Sequence, residues 1–339
     1  MKFQIAEKRW VGEGEPVFII AEVGNNHQGR IELAKNAIRA AADAGADAVS
    51  FQYAPLHSYC TRDMYDHPNL AFLKECEFTP GQLKELAGDV HACGMAFSIN
   101  VEDANTLDVV LDIGIDFIKL CSADLTNLPY IQYCASKSMP IFFSTGAAWL
   151  GEIERAYYAM KNAGLNEFVI YHTNSGYPTP IEDANIRQMD LLHTVFNGVK
   201  GYCDHTVDII PPVVAVARGA KVIEKHITTD RSLKGDDWMV SLEPGEFKTM
   251  VRYIREAEAS LGNAEKKPLP VEEGTRTFKR KSIVTGRAIR RGELFEAGDF
   301  VYKLPGTGLA PYELSLVVGK RAATDIGADV TLTADMVEY

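Results

Sequence analysis

The chain has 339 residues, enough for one large domain and a small one, and its 46% apolar and 24% charged residues are ordinary for a globular protein. A formal net charge of −11 argues against a general nucleic-acid binder, which needs a basic face, but leaves room for an anionic substrate held by a local cluster of cations. No apolar run reaches the length of a membrane span, and Met1-Lys2-Phe3-Gln4 does not open a signal peptide. A cytoplasmic protein is therefore expected, whose six cysteines, none in a CxxC pair, are reduced thiols.

From Val17 to about Gly262, short apolar runs alternate with longer amphipathic stretches. The runs at 17–24, 48–53, 95–100, 117–122, 140–146, 168–173, 201–206 and 221–227 are continuously apolar, which predicts parallel strands covered on both faces. Between them lie helical patterns. Leu33, Ala37, Ile38, Ala41 and Ala42 mark a helix that ends at Gly45, and Thr79-Pro80 opens another that Gly94 closes. Eight strand–helix pairs in about 250 residues predict a (β/α)8 TIM barrel. A doubly wound open sheet is the rival, but no glycine-rich dinucleotide fingerprint follows the first strand. Residues 1–262 are thus assigned to the barrel and the charged, Pro-containing stretch 263–280 to a linker. The tail 281–339, with β-like runs at 282–285, 300–302 and 328–332, is a small β-rich domain.

TIM-barrel enzymes place their chemistry at the C-terminal ends of the strands. Polar residues stand there on every predicted strand: Glu22 with Asn25, Asn26 and His27, Gln52, Ser98 and Asn100, Lys119 and Ser122, Ser144 and Thr145, His172 and Thr173, His205, and Glu224 with His226. Packing does not account for such a series, because buried polar groups need partners. His205 and His226 end successive strands 21 residues apart, so both imidazoles fall at one edge of the sheet and could hold a metal with open positions. Imidazole with oxygen ligands suits Mn²⁺, Zn²⁺ or Fe²⁺, and such an ion would polarise a carbonyl. A lone histidine at a strand end is more often a hydrogen-bonded structural residue, and that reading stays open for each. Lys119, in an apolar strand, is an anion handle or else the partner of Glu22 or Asp124; Glu22 is a general acid or base, or else the partner of Lys119 or Lys225.

Several motifs together give the chain a resemblance to a known family. They are Phe18-Ile19-Ile20-Ala21-Glu22-Val23-Gly24-Asn25-Asn26-His27-Gln28-Gly29, Lys119 with Ser122, Ser144-Thr145-Gly146, Tyr177-Pro178-Thr179-Pro180, Asp204-His205-Thr206, Ile223-Glu224-Lys225-His226-Ile227-Thr228 and Ser241-Leu242-Glu243-Pro244. In the tail they are Lys281-Ser282-Ile283-Val284, Ile289-Arg290-Arg291-Gly292-Glu293 and Pro305-Gly306-Thr307-Gly308. Over nearly its whole length the chain resembles the sialic acid (N-acetylneuraminate) synthases and their legionaminate, pseudaminate and spore-coat relatives. The resemblance implies a TIM barrel with an antifreeze-like (SAF) domain, in a homodimer whose small domain covers the partner's barrel mouth. It implies addition of C3 of phosphoenolpyruvate to the aldehyde of a hexosamine-type sugar, yielding a nine-carbon 2-keto acid and phosphate. It also implies a divalent metal, usually Mn²⁺ with Mg²⁺, Zn²⁺ or Fe²⁺ as alternatives, held by His205 and His226, with Glu22 as catalytic glutamate. Lys119, Ser122 and Ser144 would contact phosphate; Gln52, Ser98, Tyr177, Glu224 and Asp237 complete the expected substrate-binding set. The chain departs from the family where Ser50 replaces a lysine, Ser98-Ile99-Asn100 replaces Ser-Thr-Pro, Gly176 replaces an asparagine, Cys203 a serine and Leu304 an arginine. These changes keep two rivals open: an aldol-type synthase or lyase with another donor or acceptor, and a non-catalytic sugar-binding paralogue.

Overall fold

Each of the eight apolar runs forms a parallel strand in the computed structural model, which describes residues 1–6 and 9–339, side chains at 68, 69 and 71 excepted. The strands are β1 (Phe18–Gly24), β2 (Ala48–Gln52), β3 (Ala96–Asn100), β4 (Ile118–Leu120), β5 (Ile141–Ser144), β6 (Phe168–Thr173), β7 (Val199–Asp204) and β8 (Val222–His226). They lie side by side in the order β3-β2-β1-β8-β7-β6-β5-β4. A helix follows each, so the sheet curls into a nearly closed barrel. The remaining seam, between β3 and β4, is stitched by single contacts: Asp116 N–H donates to the Phe97 carbonyl (2.8 Å), and the Ser98 hydroxyl donates to the Phe117 carbonyl (2.9 Å).

Local signals set the helix limits. The first helix, Ile31–Ala44, stops at Gly45, whose φ of 86° is left-handed, the cheap way out of a helix for a residue without Cβ. Thr79 caps Pro80–Ala92 by accepting from Gln82 N–H. The strands divide their side chains by parity. Ile19, Ala21 and Val23 of β1 join the apolar layer against the helices, whereas Phe18 and Ile20 point into the barrel with Phe117, Phe142, Val169 and Val222. An antiparallel hairpin at the start of the chain, Lys2–Ala6 with Arg9–Gly12, adds Phe3, Ile5 and Val11 to this interior cluster. With that end filled by apolar side chains, the polar interior positions collect at the other.

The chain divides into two compact units, Met1–Gly262 and Asn263–Tyr339. In the second, Ser282–Thr285 pairs with Phe300–Lys303 and Arg321–Ala322 with Val337–Glu338, around a core that includes Ile283, Phe295, Val317 and Leu332. Two details differ from the sequence reading. The expected linker carries a short helix, Glu273–Lys279, within this unit. The run 328–332 is not a strand: Asp329 takes a left-handed turn (φ 63°), and only Thr331 bridges to Val284. Among the described residues no helix is long and apolar enough to cross a membrane, and all six cysteines are free.

Candidate active site

Parity decides which polar side chains enter the barrel mouth. Counting in twos from the interior residues Ile20, Phe142, Tyr171 and Val222 leads to Glu22, Ser144, Thr173, and Glu224 with His226. These side chains line a cavity of about 300 Å³, together with Gln52, Asn100, Lys119, Ser122, Tyr177, Cys203, His205 and Asp237. The intervening positions serve the scaffold. His172 takes its place beside Tyr202 and meets the Ala184 carbonyl (2.8 Å), while Lys225 pairs with Asp204 (2.6 Å) where neither is exposed. Asp204 also accepts from Tyr202 hydroxyl (2.8 Å) and from both N–H and hydroxyl of Thr206, so the Asp-His-Thr segment is fixed behind the histidine it carries.

Of the expected site residues only Ser98 lies outside the lining; its hydroxyl is used at the barrel seam, where a strand-end serine has a backbone carbonyl to satisfy. Tyr59, Glu102 and Ser175 also line the cavity and were not expected. Two of them had a signal: Glu102 continues the series Ser98, Asn100, and Ser175 the series Tyr171, Thr173, past the strand ends. Tyr59, in the short helix Leu56–Tyr59, had none.

The His205 and His226 rings lie 5.3 Å apart between centroids, with Tyr177 stacked on His205 at 4.1 Å. His205 Nδ1 sits 2.6 Å from the Asn174 carbonyl, so it donates there and leaves Nε2 as the free lone pair. Burial pushes His205 down to about 4 and holds His226 well below the usual imidazole range, so both are neutral. His226 Nδ1 is buried without a hydrogen-bond partner among the described residues, 3.4 Å from the Asp237 carboxylate; with the imidazole neutral this is no ion pair. Gly24 (φ 52°) lies at the junction: a Cβ there would stand 3.2 Å from the Asp237 carboxylate, 3.5 Å from that of Glu22 and 3.9 Å from the His226 ring. Neutral imidazoles, an orphaned nitrogen and two carboxylates are a donor set suited to a divalent cation. Among the described residues no three His, Cys, Asp or Glu side chains are grouped closely enough to hold a metal ion by themselves, so an ion on the two imidazoles would need solvent or substrate for its other ligands.

Opposite stands Lys119, bonded to Glu224 at 2.5 Å, neither more than 4% exposed. Burial opposes its charge, but the Glu224 carboxylate holds Lys119 protonated, above the ordinary lysine range. The lysine thus has Glu224, not Glu22 or Asp124, for a partner. Burial keeps the Cys203 thiol protonated, and it donates to the same carboxylate (3.3 Å). Glu22 accepts from Gly24 N–H (2.8 Å) and from the Asn100 amide (3.3 Å). Burial and then the Glu224 charge push Glu22 up to about 7; burial and then Asp236 push Asp237 up to about 8, and burial pushes Glu102 to about 7. Ser122 accepts from Gly146 N–H (3.0 Å), where an added Cβ would lie 2.2 Å from the Ser175 hydroxyl and 2.8 Å from that of Ser122. The glycine lets these hydroxyls close around one corner. The cavity therefore combines an acid–base carboxylate, a neutral imidazole pair and a corner of hydroxyls beside a buried ammonium.

Residues 37–266 match the model of the NeuB family, and residues 280–338 that of the SAF domain. The chain belongs to the NeuB family. It is 36% identical to the N,N'-diacetyllegionaminic acid synthase of Legionella pneumophila, over 96% of both chains. With the mouse N-acetylneuraminate-9-phosphate synthase it shares 33%, over 100% of this chain and 97% of the other. The crystal structure of the sialic acid synthetase of Leptospira borgpetersenii superposes with a TM-score of 0.74 at 31% identity, covering 81% of this chain and 95% of that one. NeuB relatives over the full length thus carry a synthase's name on the same barrel.

Proposed function

We propose that the protein is an enzyme that joins C3 of phosphoenolpyruvate to the aldehyde carbon of a hexose-type sugar while water adds at C2 and phosphate leaves, giving a sialic-acid-like 2-keto acid and phosphate. What carries the reading is the meeting, in one cavity, of the His205–His226 pair and Glu22 with Lys119, Ser122 and Ser144. His205 and His226, with Glu22 and Asp237 beside them, would hold a divalent cation, which when bound supplies Lewis-acid polarisation of a carbonyl. The chain's own groups do the rest. Lys119 and the Ser122, Ser144 and Ser175 hydroxyls present positive charge and donors to an anionic donor substrate. Glu22, balanced near neutrality, can exchange a proton with a reacting water or hydroxyl. Tyr177 covers the imidazole pair and limits access of solvent.

A second reading keeps the same acceptor chemistry with a less anionic donor. Its motive is charge: Glu22, Glu102, Glu224 and Asp237 face the cavity, against Lys119 as the single cation among the described residues of its lining. Where the family has a further lysine, Ser50 stands 3.5 Å from the Asn100 side chain.

Incubation with Mn²⁺, phosphoenolpyruvate and a panel of N-acylmannosamines, hexosamines and hexoses should release phosphate only when a sugar is present. Product from pyruvate in place of phosphoenolpyruvate would establish the second reading, and no product from any combination would reject both. His205→Ala and His226→Ala should each empty the protein of tightly bound Mn²⁺, read by elemental analysis. The same proposal includes a homodimer, and a monomer mass by light scattering would remove it.

A further inference from the structure

Two residues in the lining of the catalytic cavity, Tyr59 and Glu102, have no part in the chemistry proposed above. The backbone is fixed on both sides of Glu102. The Val101 carbonyl accepts from the Tyr130 hydroxyl (2.8 Å), and Asp103 caps the helix Ala104–Ile113 by accepting from the N–H groups of Asn105 (2.8 Å) and Thr106 (3.2 Å). Between these commitments the half-buried Glu102 carboxylate is left to the cavity, with no hydrogen bond or ion pair among the described residues. A second acid lies near it. Burial and then the Asp124 charge push Glu102 up to about 7, and Asp124 Oδ2 is itself buried without a partner among the described residues. Burial, then the charges of Glu102 and Asp236, raise the Tyr59 hydroxyl above the ordinary phenol range, so ring and carboxylates share one side of the mouth.

No cation of the lining serves that side. Lys119 is held by Glu224 at 2.5 Å, and a divalent ion on His205 and His226 would draw on Glu22 and Asp237. A second metal ion has no seat at Glu102, since among the described residues no three His, Cys, Asp or Glu side chains gather to hold one. An aromatic face beside an unpaired carboxylate is instead the chemistry that recognises an organic ammonium. A sugar hydroxyl would donate to Glu102 without charge, and an N-acyl group would bring a carbonyl oxygen toward it. We propose that the acceptor is a hexosamine whose amine is free and protonated, paired with Glu102 beside the Tyr59 ring. The inference rests on a sugar as acceptor, as proposed above, and fixes its charge.

D-mannosamine, N-acetyl-D-mannosamine and D-mannose differ at one substituent and separate these cases. In Mn²⁺-loaded protein at pH 7.5, calorimetry should show mannosamine bound about tenfold more tightly than either of the others, as one charge-assisted contact predicts. In Glu102→Gln, which keeps the shape, that preference should fall to near one, and in Tyr59→Leu it should fall about threefold. N-acetylmannosamine or mannose bound as tightly as mannosamine by the unmodified protein would overturn the proposal. So would a preference that survives Glu102→Gln, or no binding of mannosamine at all. Phosphate release from phosphoenolpyruvate keeps the two readings apart. Release with N-acetylmannosamine preferred removes the ammonium site and keeps the synthase, whereas a Glu102-dependent preference without release keeps the site and removes the synthase.

Discussion

At Glu22 a carboxylate is buried beside another acid, while the Gly24 N–H and the Asn100 amide fix its two oxygens. The result is a group that titrates near 7 and is held in one orientation. Glu22→Gln keeps the shape and removes the proton exchange. Turnover should fall by about 10²–10⁴, and the limb of the kcat/KM profile that Glu22 gives in the Mn²⁺-loaded enzyme, displaced below its metal-free position, should disappear. A variant that keeps that limb would assign the titration to another group. Lys119 has two duties that one substitution cannot separate. Lys119→Met leaves Glu224 buried and uncompensated and should destabilise the fold by about 3–5 kcal/mol in denaturant unfolding. Adding Glu224→Gln should restore most of that stability while donor binding, read by calorimetry, stays lost. Recovery of both would reduce Lys119 to a structural partner. Much of this site was legible in the residues themselves, because the two-residue period of a strand carries polar side chains from an apolar interior to the mouth. What sequence could not show was partner choice. That Lys119 meets Glu224, or that Ser98 turns to the seam, depends on strands far apart in the chain.

At the scale of the strand, the barrel mouth is shaped as much by missing side chains as by present ones. Gly201 of β7 lies against the Tyr171 ring: an added Cβ would fall 2.7 Å from Tyr171 Cδ1 and equally near Val169 Cγ1. Tyr171 is fully buried below the cavity, with Lys119 Nζ 5.2 Å from its ring centre. Gly201→Ala must push the phenol ring toward Lys119 or part β6 from β7. The expected cost is about 1–3 kcal/mol by denaturant unfolding, with weakened donor binding. An unchanged midpoint would mean that Tyr171 has room to shift. All eight strands could be located from continuous apolar runs, and two helices, Ile31–Ala44 and Pro80–Ala92, from the signals at their ends. The hairpin at the start of the chain was not foreseen, because its two short strands alternate too briefly to show a period. The 328–332 run misled because apolar composition does not reveal a left-handed turn at Asp329.

Taken as a whole, the molecule distributes its acid unevenly. Residues 263–339 hold 12 Lys and Arg against 11 Asp and Glu, so the barrel unit carries 23 against 35, a balance of −12 within the total of −11. Part of that excess is concentrated at the mouth, where Glu22, Glu102 and Asp237 are raised to about 7, 7 and 8. The thermodynamic consequence has a definite sign. The native state binds these protons more tightly than the unfolded chain, in which carboxylates titrate near ~4. Their contribution to stability is therefore complete below about pH 4, declines as pH rises through 7–8, and is constant above. In metal-free protein, Glu22→Gln removes one such group. Its gain in melting temperature over the unmodified chain should grow between pH 5 and pH 8.5. A bound divalent cation favours the ionised carboxylates, so excess Mn²⁺ should shrink that gain at the upper end. A gain that does not vary with pH would show that Glu22 titrates at its ordinary value, and the mouth would then be far less crowded with charge than its geometry implies.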